Sequence, residues 1–168
     1  MIKFKNVHWT VSVEAIEQEY EYIRHHGNWQ AFLENLNVIK KLPHKISFNM
    51  LYFILNYRSL FDTIDYFQNL GFHNNSFVIG PLFSPLHLSV LNLPNNIVKN
   101  LISILQNKIN QKPGFLLQNG YENLLQHLTE YKFHANIQTT KKELEIMDQR
   151  RKLHSQKIFP QLYKEVLH

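Results

Sequence analysis

The sequence predicts an α/β fold in which about three parallel strands are covered by helices and followed by an α-helical C-terminal tail. Segments 7–13, 45–55 and 76–83 have the composition of strands, and stretches with helical spacing of apolar residues separate them. After residue 93 the chain shows helical periodicity interrupted by prolines, without a convincing further strand. Strands that alternate with helices are typical of right-handed βαβ units, in which the strands run parallel.

The first strand and helix are indicated by the run VHWTVSVEA, which begins at Val7. Apolar residues at odd positions alternate there with His8, Thr10 and Ser12, which is the period of two that a half-buried strand has. Glu14 closes the strand. A helix is predicted over 15–26, because glutamates in its first turns suit the positive end of a helix dipole.

The second helix and strand come directly after this unit. Asn28 is the predicted N-cap of a helix whose apolar stripe ends before Pro43. Segment 45–55, KISFNMLYFIL, is rich in aromatic and β-favouring residues and shows little alternation. That composition predicts a strand buried on both faces, as in parallel sheets that carry helices on each side.

The third helix and strand complete the sheet. Ser59 is predicted to cap a helix that Gly71 ends in a left-handed conformation. Segment 76–83, SFVIGPLF, is predicted to form a strand. Pro81 indicates that the C-terminal end of this segment lies at a sheet edge or in a loop. Residues 86–91 are a candidate for one more short strand.

Residues 94–168 are expected to form a helical extension of a first unit that spans residues 1–93. Pro94 suits the first position of a helix. Gly114 and Gly120 interrupt the chain after it. Further helices are predicted over 121–131, 139–153 and 155–163.

Composition limits the classes of function. The 168 residues are 44% hydrophobic and contain twelve Phe, which predicts a folded domain with a substantial core. There is no Cys, so disulfides, thiolate zinc sites and a Cys nucleophile are excluded. Neither GxGxxG nor GxxxxGK occurs, and the ten His lack the short spacings of a metal site. With no run long enough to span a membrane and no signal peptide, a soluble cytoplasmic protein is expected.

Charge is distributed unevenly along the chain. Residues 81–168 carry eleven Lys or Arg against six Asp or Glu, which accounts for the whole net charge of +5. Acidic residues interrupt the basic ones, so a solvated helical surface is favoured over a nucleic-acid interface. The cluster Arg150, Arg151 and Lys152 allows two interpretations: a docking helix, which is favoured, or a site for phosphate or an acidic peptide.

Three pieces of the sequence together resemble a known family. They are VSVEA, EYIRHHGNWQAFLENL and ISFNMLYFILNYRSLFDTIDYF, in that order and spacing. The run from Trp9 to Pro94 is similar to the second half of the catalytic domain of radical S-adenosylmethionine proteins of the twitch or SPASM-like kind. A later run, KKELEIMDQRRKLHSQKIFPQLY, resembles the end of these proteins. The resemblance implies a partial βα barrel fragment and S-adenosylmethionine as a cofactor.

The same resemblance indicates what this chain lacks. Members of the family hold a 4Fe–4S cluster with three cysteines, usually spaced Cys-x3-Cys-x2-Cys, in the N-terminal half. This chain supplies none, so a cluster is expected only if a complementing N-terminal half is provided. Such a half, or another protein, is the expected partner at the open sheet edge. Nucleic-acid and membrane partners are not expected.

The resemblance also implies a set of binding residues. Ser12 and Arg24 match positions that contact the amino-acid end of S-adenosylmethionine, and Glu14 is chemically suited to a ribose hydroxyl or an ammonium group. Asn56 follows the second strand, and Phe83 falls in the adenine-side region. Structural roles remain open for all five: a half-buried strand residue for Ser12, a helix N-terminal acid for Glu14, a surface ion pair for Arg24, a turn cap for Asn56 and loop packing for Phe83.

The sequence therefore allows two functions. The first is a fragment or remnant of a radical S-adenosylmethionine enzyme, which would not be catalytic alone because cluster cysteines are absent. The second is a non-enzymatic interaction module or subunit that uses an open sheet edge and basic helices to hold a partner.

Overall fold

The sheet has the three parallel strands that the sequence predicts. The computed structural model describes residues 6–130 and 137–167. Its three strands, β1 (His8–Ser12), β2 (Lys45–Tyr52) and β3 (Phe77–Pro81), form one sheet in the order β1-β2-β3. Both pairs of neighbouring strands are parallel. An α/β fold with a three-stranded parallel sheet is thus confirmed.

Helices make up most of the described structure. Two helices separate β1 from β2 and one separates β2 from β3: α1 (Glu17–Ile23), α2 (Trp29–Lys40) and α3 (Ser59–Asn69). Those after the sheet are α4 (Asn95–Asn110), α5 (Phe115–Glu130), α6 (Ile137–Arg151), α7 (Ser155–Ile158) and α8 (Pro160–Glu165). Within residues 6–130 and 137–167, no helix combines the length and apolar character needed to cross a membrane.

Local signals account for several helix boundaries. The Asn28 side chain accepts a hydrogen bond from the Ala31 backbone N–H at 2.7 Å, which confirms the predicted N-cap of α2. Gly71 adopts a φ of +91° just after α3, as a left-handed helix stop requires. Other signals were misleading. Ser59 is the first residue of α3 rather than its cap, and Gly120 lies inside α5.

One face of the sheet is covered by helices. The Phe48 ring stacks on Phe67 of α3 and on Phe77 of β3, with centroids 4.4 and 5.5 Å apart. Gly120 of α5 lies so close to β3 that an added Cβ would be 3.0 Å from the Ile79 Cβ. The strand residues on this face that are buried are Phe48, Met50, Tyr52, Phe77 and Ile79.

The opposite face is open, which corrects the prediction that β2 is buried on both sides. Thr10, Asn49 and Val78 are exposed on this face, one from each strand. A Cβ added to Gly80 would meet no atom within 4 Å. The predicted strand was also too long, because Phe53 to Leu55 leave it and enter a 3₁₀ turn. The apolar density of this segment concealed an alternation between covered and open residues.

The third strand and the segment after it differ in detail from prediction. β3 is shorter than residues 76–83 and ends at Pro81, as proline's missing N–H leads one to expect. Residues 86–91, the candidate for a further strand, instead belong to two 3₁₀ turns, Leu86–Leu88 and Val90–Asn92. The parallel sheet therefore gains no fourth strand within the described residues.

Helices α6 and α7 are bound to the sheet unit through α1. The Tyr22 hydroxyl donates to Asp148 Oδ1 at 2.9 Å, and Asp148 Oδ2 accepts from the Ser155 backbone N–H and hydroxyl. The Phe159 ring meets Tyr22 edge-on at 5.2 Å. Because Tyr22 and Ser155 are buried, these contacts hold α6 and α7 firmly against α1.

Candidate functional site

The candidate site is a cavity of about 460 Å³ at the carboxyl end of the sheet. Glu14 follows β1, Leu51 belongs to the end of β2, and Leu82 follows β3, and all three line it. Open parallel α/β sheets commonly bind ligands at this edge, because the connections that leave the strands converge there. The remaining wall is formed by Ile23, Arg24, His25, Phe53, Leu55, Pro85, Leu88, Met147 and Arg151.

Glu14 and Arg24 form a two-point ion pair in this cavity. Arg24 Nε donates to Glu14 Oε2 at 2.9 Å, and Arg24 Nη2 donates to Glu14 Oε1 at 2.7 Å. Glu14 is only 4% exposed, whereas the Arg24 side chain is 37% exposed. A guanidinium has five N–H donors and Glu14 takes two, so Arg24 can bind a further acceptor without leaving Glu14.

Local structure explains how these two residues meet. Helix α1 ends at Ile23, so Arg24 leaves the helix beside Glu14, which follows the end of β1 at Ser12. Burial of Glu14 requires a partner for its charge, and the planar guanidinium matches both carboxylate oxygens. The interpretation of Arg24 as an ion-pair partner is therefore realised, and the side chain nevertheless faces the cavity.

Asn56 holds the backbone next to the site. Its amide nitrogen donates to the backbone oxygens of Glu14 and Leu51 at 2.9 and 2.8 Å, and its Oδ1 accepts from the Phe53 N–H at 2.8 Å. Asn56 is fully buried, and both amide hydrogens are used. The geometry is that of a turn cap, and it ties the end of β1 to the end of β2.

Ser12 and Phe83 lie apart from the cavity. Ser12 is half-buried in β1, where it is in register with Asn49 on the open face of the sheet. Phe83 is 60% exposed, and its ring meets that of His127 edge-on at 5.2 Å. Of the five predicted residues, the structure thus brings Glu14, Arg24 and Asn56 together, whereas Ser12 and Phe83 are not among the residues that line the cavity.

Arg151 and His25 are cavity residues that sequence reasoning did not assign to the site. Met147 and Arg151 share one face of α6 by their four-residue spacing, and the sequence already favours a docking helix for Arg151. Partial desolvation and the neighbouring His26 and Arg151 lower the pKa of His25 below its usual value. The periodicity revealed the shared helix face, but it held no information about which surface that face would meet.

A larger cavity of about 780 Å³ lies between α3 and α4. Its charged groups are largely matched with one another, since Arg58 pairs with Glu165 at 2.5 Å and Lys108 approaches Asp65 at 4.0 Å. None of the five predicted binding residues lines it. The smaller cavity is the better candidate because it lies at the strand ends and carries excess positive charge.

Two further observations concern the metal-binding side chains of this chain. The absence of Cys from the sequence means that a 4Fe–4S cluster does not fit its side chains. Across residues 6–130 and 137–167, His, Asp and Glu form no group of three or more that could hold a metal ion. The donors at the candidate site are guanidinium, carboxylate and imidazole groups, which suit an organic ligand with charged substituents.

Comparison with other proteins identifies no relative. No family model matches the chain, and no curated protein or solved structure matches it either. Function is therefore inferred from the geometry of the sheet and the cavity.

Proposed function

We propose that this chain is the S-adenosylmethionine-binding part of a radical S-adenosylmethionine protein and that it is not catalytic alone. One observation carries the proposal: a parallel sheet is covered by helices on one face, is open and mostly polar on the other, and bears a charged cavity at its carboxyl edge. The missing cysteines explain why catalysis would need a second component. When bound beside a reduced cluster, S-adenosylmethionine supplies a 5′-deoxyadenosyl radical.

The open face supports a partial barrel. Parallel sheets are nearly always covered on both faces, since helical crossovers pack against them. In a βα barrel the helices lie outside and the strands turn their other face toward the interior. The exposed residues Thr10 and Asn49 and the half-buried Ser12 would lie on such an interior face. Further strands, supplied by a complementing half, would then pair with the outer edge of β1.

The cavity suits the proposed cofactor in size and chemistry. A volume of about 460 Å³ falls within the common range of small-molecule sites. Leu51, Phe53 and Leu82 offer an apolar wall for a nucleobase. Arg24 provides N–H donors for a carboxylate, and Glu14 provides acceptors for an ammonium group or a ribose hydroxyl.

Isothermal titration calorimetry with S-adenosylmethionine tests the proposal. We expect the wild type to bind and Arg24→Gln to bind at least about tenfold more weakly, because a hydrogen bond to a charged group contributes about 1.5–3 kcal/mol. Arg58→Gln is the matched control, since Arg58 also pairs with a glutamate but lines the other cavity. Absence of binding by the folded wild type would overturn the proposal.

The proposal that this chain is not catalytic alone has its own test. A tag-free preparation is expected to contain no iron or labile sulfide and to leave S-adenosylmethionine intact in the presence of dithionite. Stoichiometric iron, or reductive cleavage by this chain alone, would contradict it.

The second candidate function, an interaction module, is favoured by the outer edge of β1. Val7 and Val13 make ladder bonds to β2, so the alternation of a parallel strand directs the N–H groups of His8, Thr10 and Ser12 away from β2. Fast hydrogen exchange at these three amides in the isolated chain would support a free edge. A wild type that lacks S-adenosylmethionine affinity but gains amide protection there with rising concentration would favour the module.

A further inference from the structure

Arg151, the last residue of α6, lies where the C-terminal helices meet the candidate cavity. Its Nη1 donates to the Tyr22 backbone oxygen at 3.0 Å, and its guanidinium lies 5.9 Å from the centroid of the Tyr22 ring. Tyr22 is almost fully buried, so its backbone oxygen holds the Nη1 atom of Arg151 in place against α1. The rest of the guanidinium is available to the cavity that Arg151 lines.

Arg151 is not within ion-pair distance of a carboxylate in the part of the chain that the structure describes. Asp148, one helical turn earlier, accepts hydrogen bonds from the Tyr22 hydroxyl and from Ser155. Glu14, the carboxylate on the cavity wall, is held by Arg24 at two points.

His25 adds a third nitrogen-bearing side chain to the same cavity wall. Its ring is stacked near that of His26, with centroids 3.8 Å apart, and it is exposed to solvent. Desolvation, His26 and Arg151 each lower the pKa of His25, so the potential at its ring is positive. His25 and Arg151 also line the same cavity. An anion bound between them would reverse that repulsion.

We propose that Arg151 and His25 form an anion-binding position at the mouth of the cavity, and that it accepts the phosphate group of a small ligand with an apolar body. Guanidinium groups bind phosphate through paired N–H donors, and an imidazole adds another. Met147, Leu82 and Leu88 supply the apolar surface beside this position. S-adenosylmethionine has no phosphate, so the ligand is a different molecule. Because Arg24 and Arg151 line the same cavity, the two ligands would compete for it.

The test uses phenyl phosphate and inorganic phosphate as probes, titrated at constant ionic strength with chloride. We expect phenyl phosphate to bind more tightly than inorganic phosphate, because its ring covers apolar wall. Arg151→Gln is expected to weaken phenyl phosphate binding at least about tenfold, as loss of a charge-assisted hydrogen bond does. Arg150→Gln is the matched control, since this exposed neighbour on the same helix does not line the cavity and should leave affinity unchanged.

The outcomes separate a built site from general attraction by a basic surface. Equal affinity of wild type and folded Arg151→Gln overturns the proposal, and so does an equal loss in Arg150→Gln. If circular dichroism shows that Arg151→Gln does not fold, the exposed His25→Asn variant decides: about threefold or greater weakening supports the site, and unchanged affinity overturns it. If the protein binds phenyl phosphate but not S-adenosylmethionine, the proposed anion site is retained. Only the proposal that S-adenosylmethionine is the cofactor is then contradicted.

Discussion

The two faces of the sheet are built from alternate residues of the same strands, yet they differ in almost every respect. On the covered face Phe48 is fully buried among the aromatic rings of Phe67, Phe72 and Phe77. On the open face its neighbour Asn49 is exposed to solvent. Burial of large aromatic side chains dominates core energetics, so stability is concentrated on the covered face. The open face is correspondingly free to meet a ligand or a partner.

A substitution pair at adjacent positions of β2 gives the sharpest contrast. Phe48→Ala is expected to lower the free energy of unfolding by about 3–5 kcal/mol, because it removes a ring from a packed aromatic cluster. Asn49→Ala is expected to change it by no more than about 0.5 kcal/mol, as at other surface sites. Urea denaturation of the two variants measures both values. Similar losses would show that Asn49 is also packed and would end the distinction between the faces.

Replacement of Asn56 tests the carboxyl edge of the sheet, where the candidate cavity lies. Replacing it with Ala would leave the backbone groups of Glu14, Leu51 and Phe53 without their buried partner. At about 1–3 kcal/mol for each buried group left unpaired, with partial relaxation, we expect a loss of about 3 kcal/mol. Asn49→Ala, which removes an exposed amide, is the control. A loss below about 1 kcal/mol would contradict the role of Asn56 in tying β1 to β2.

Two glycines extend the comparison to added volume. Gly120→Val introduces atoms against Ile79 on the covered face, so we expect overpacking to cost about 2 kcal/mol. Gly80→Val adds the same atoms to the open face, where a Cβ meets nothing within 4 Å. There the fold should be unchanged or stabilised by up to about 1 kcal/mol, since valine suits a strand better than glycine. Thermal unfolding of both variants checks this, and a larger loss at Gly80 would show that the second face is covered.

A further expected effect concerns pH on the covered side. The Tyr52 hydroxyl donates to the Tyr57 backbone oxygen, and the Tyr57 hydroxyl donates to Glu165 at 2.8 Å. Burial, with help from that hydrogen bond, raises the pKa of Tyr57 from 10.0 to about 12. The unfolded chain therefore loses this proton first. The stabilisation is complete below pH 10.0 and declines as the pH rises toward 12.

Tyr57→Phe isolates this contribution. Its free energy of unfolding should fall less steeply between pH 10.0 and 12 than that of the wild type, because the ionising phenol is gone. Urea titrations at several pH values give the two slopes. Identical slopes would mean that Tyr57 ionises equally in the folded and unfolded states.

Much of the secondary structure could be predicted because its signals are local. Alternation identified β1, the Asn28 side chain marked the start of α2, and Gly71 marked the end of α3. The early part of α5 was missed because Gly120 resembles a helix breaker. Its small size is instead required where the helix approaches Ile79, and that contact joins residues far apart in the chain.

Only part of the candidate site could be predicted from the sequence. Glu14 and Arg24 are ten positions apart and adjoin one strand–helix unit, so their meeting at the carboxyl edge follows from local geometry. Arg151 comes from a helix more than a hundred residues later, and its contact with Tyr22 depends on how α6 packs. Phe83 was placed by analogy, and the structure turns it toward His127 instead.

By itself the sequence determined most element types, the parallel order of the strands and the absence of cysteine, because period, capping residues and composition act over a few positions. Tertiary structure alone decided which face of the sheet is covered, since Asn49 and Phe48 lie in one apolar run and only packing against α3 and α5 separates their environments. It also brought Arg151 to the cavity of Glu14 and Arg24, because long-range burial, not local preference, selects where a helix docks.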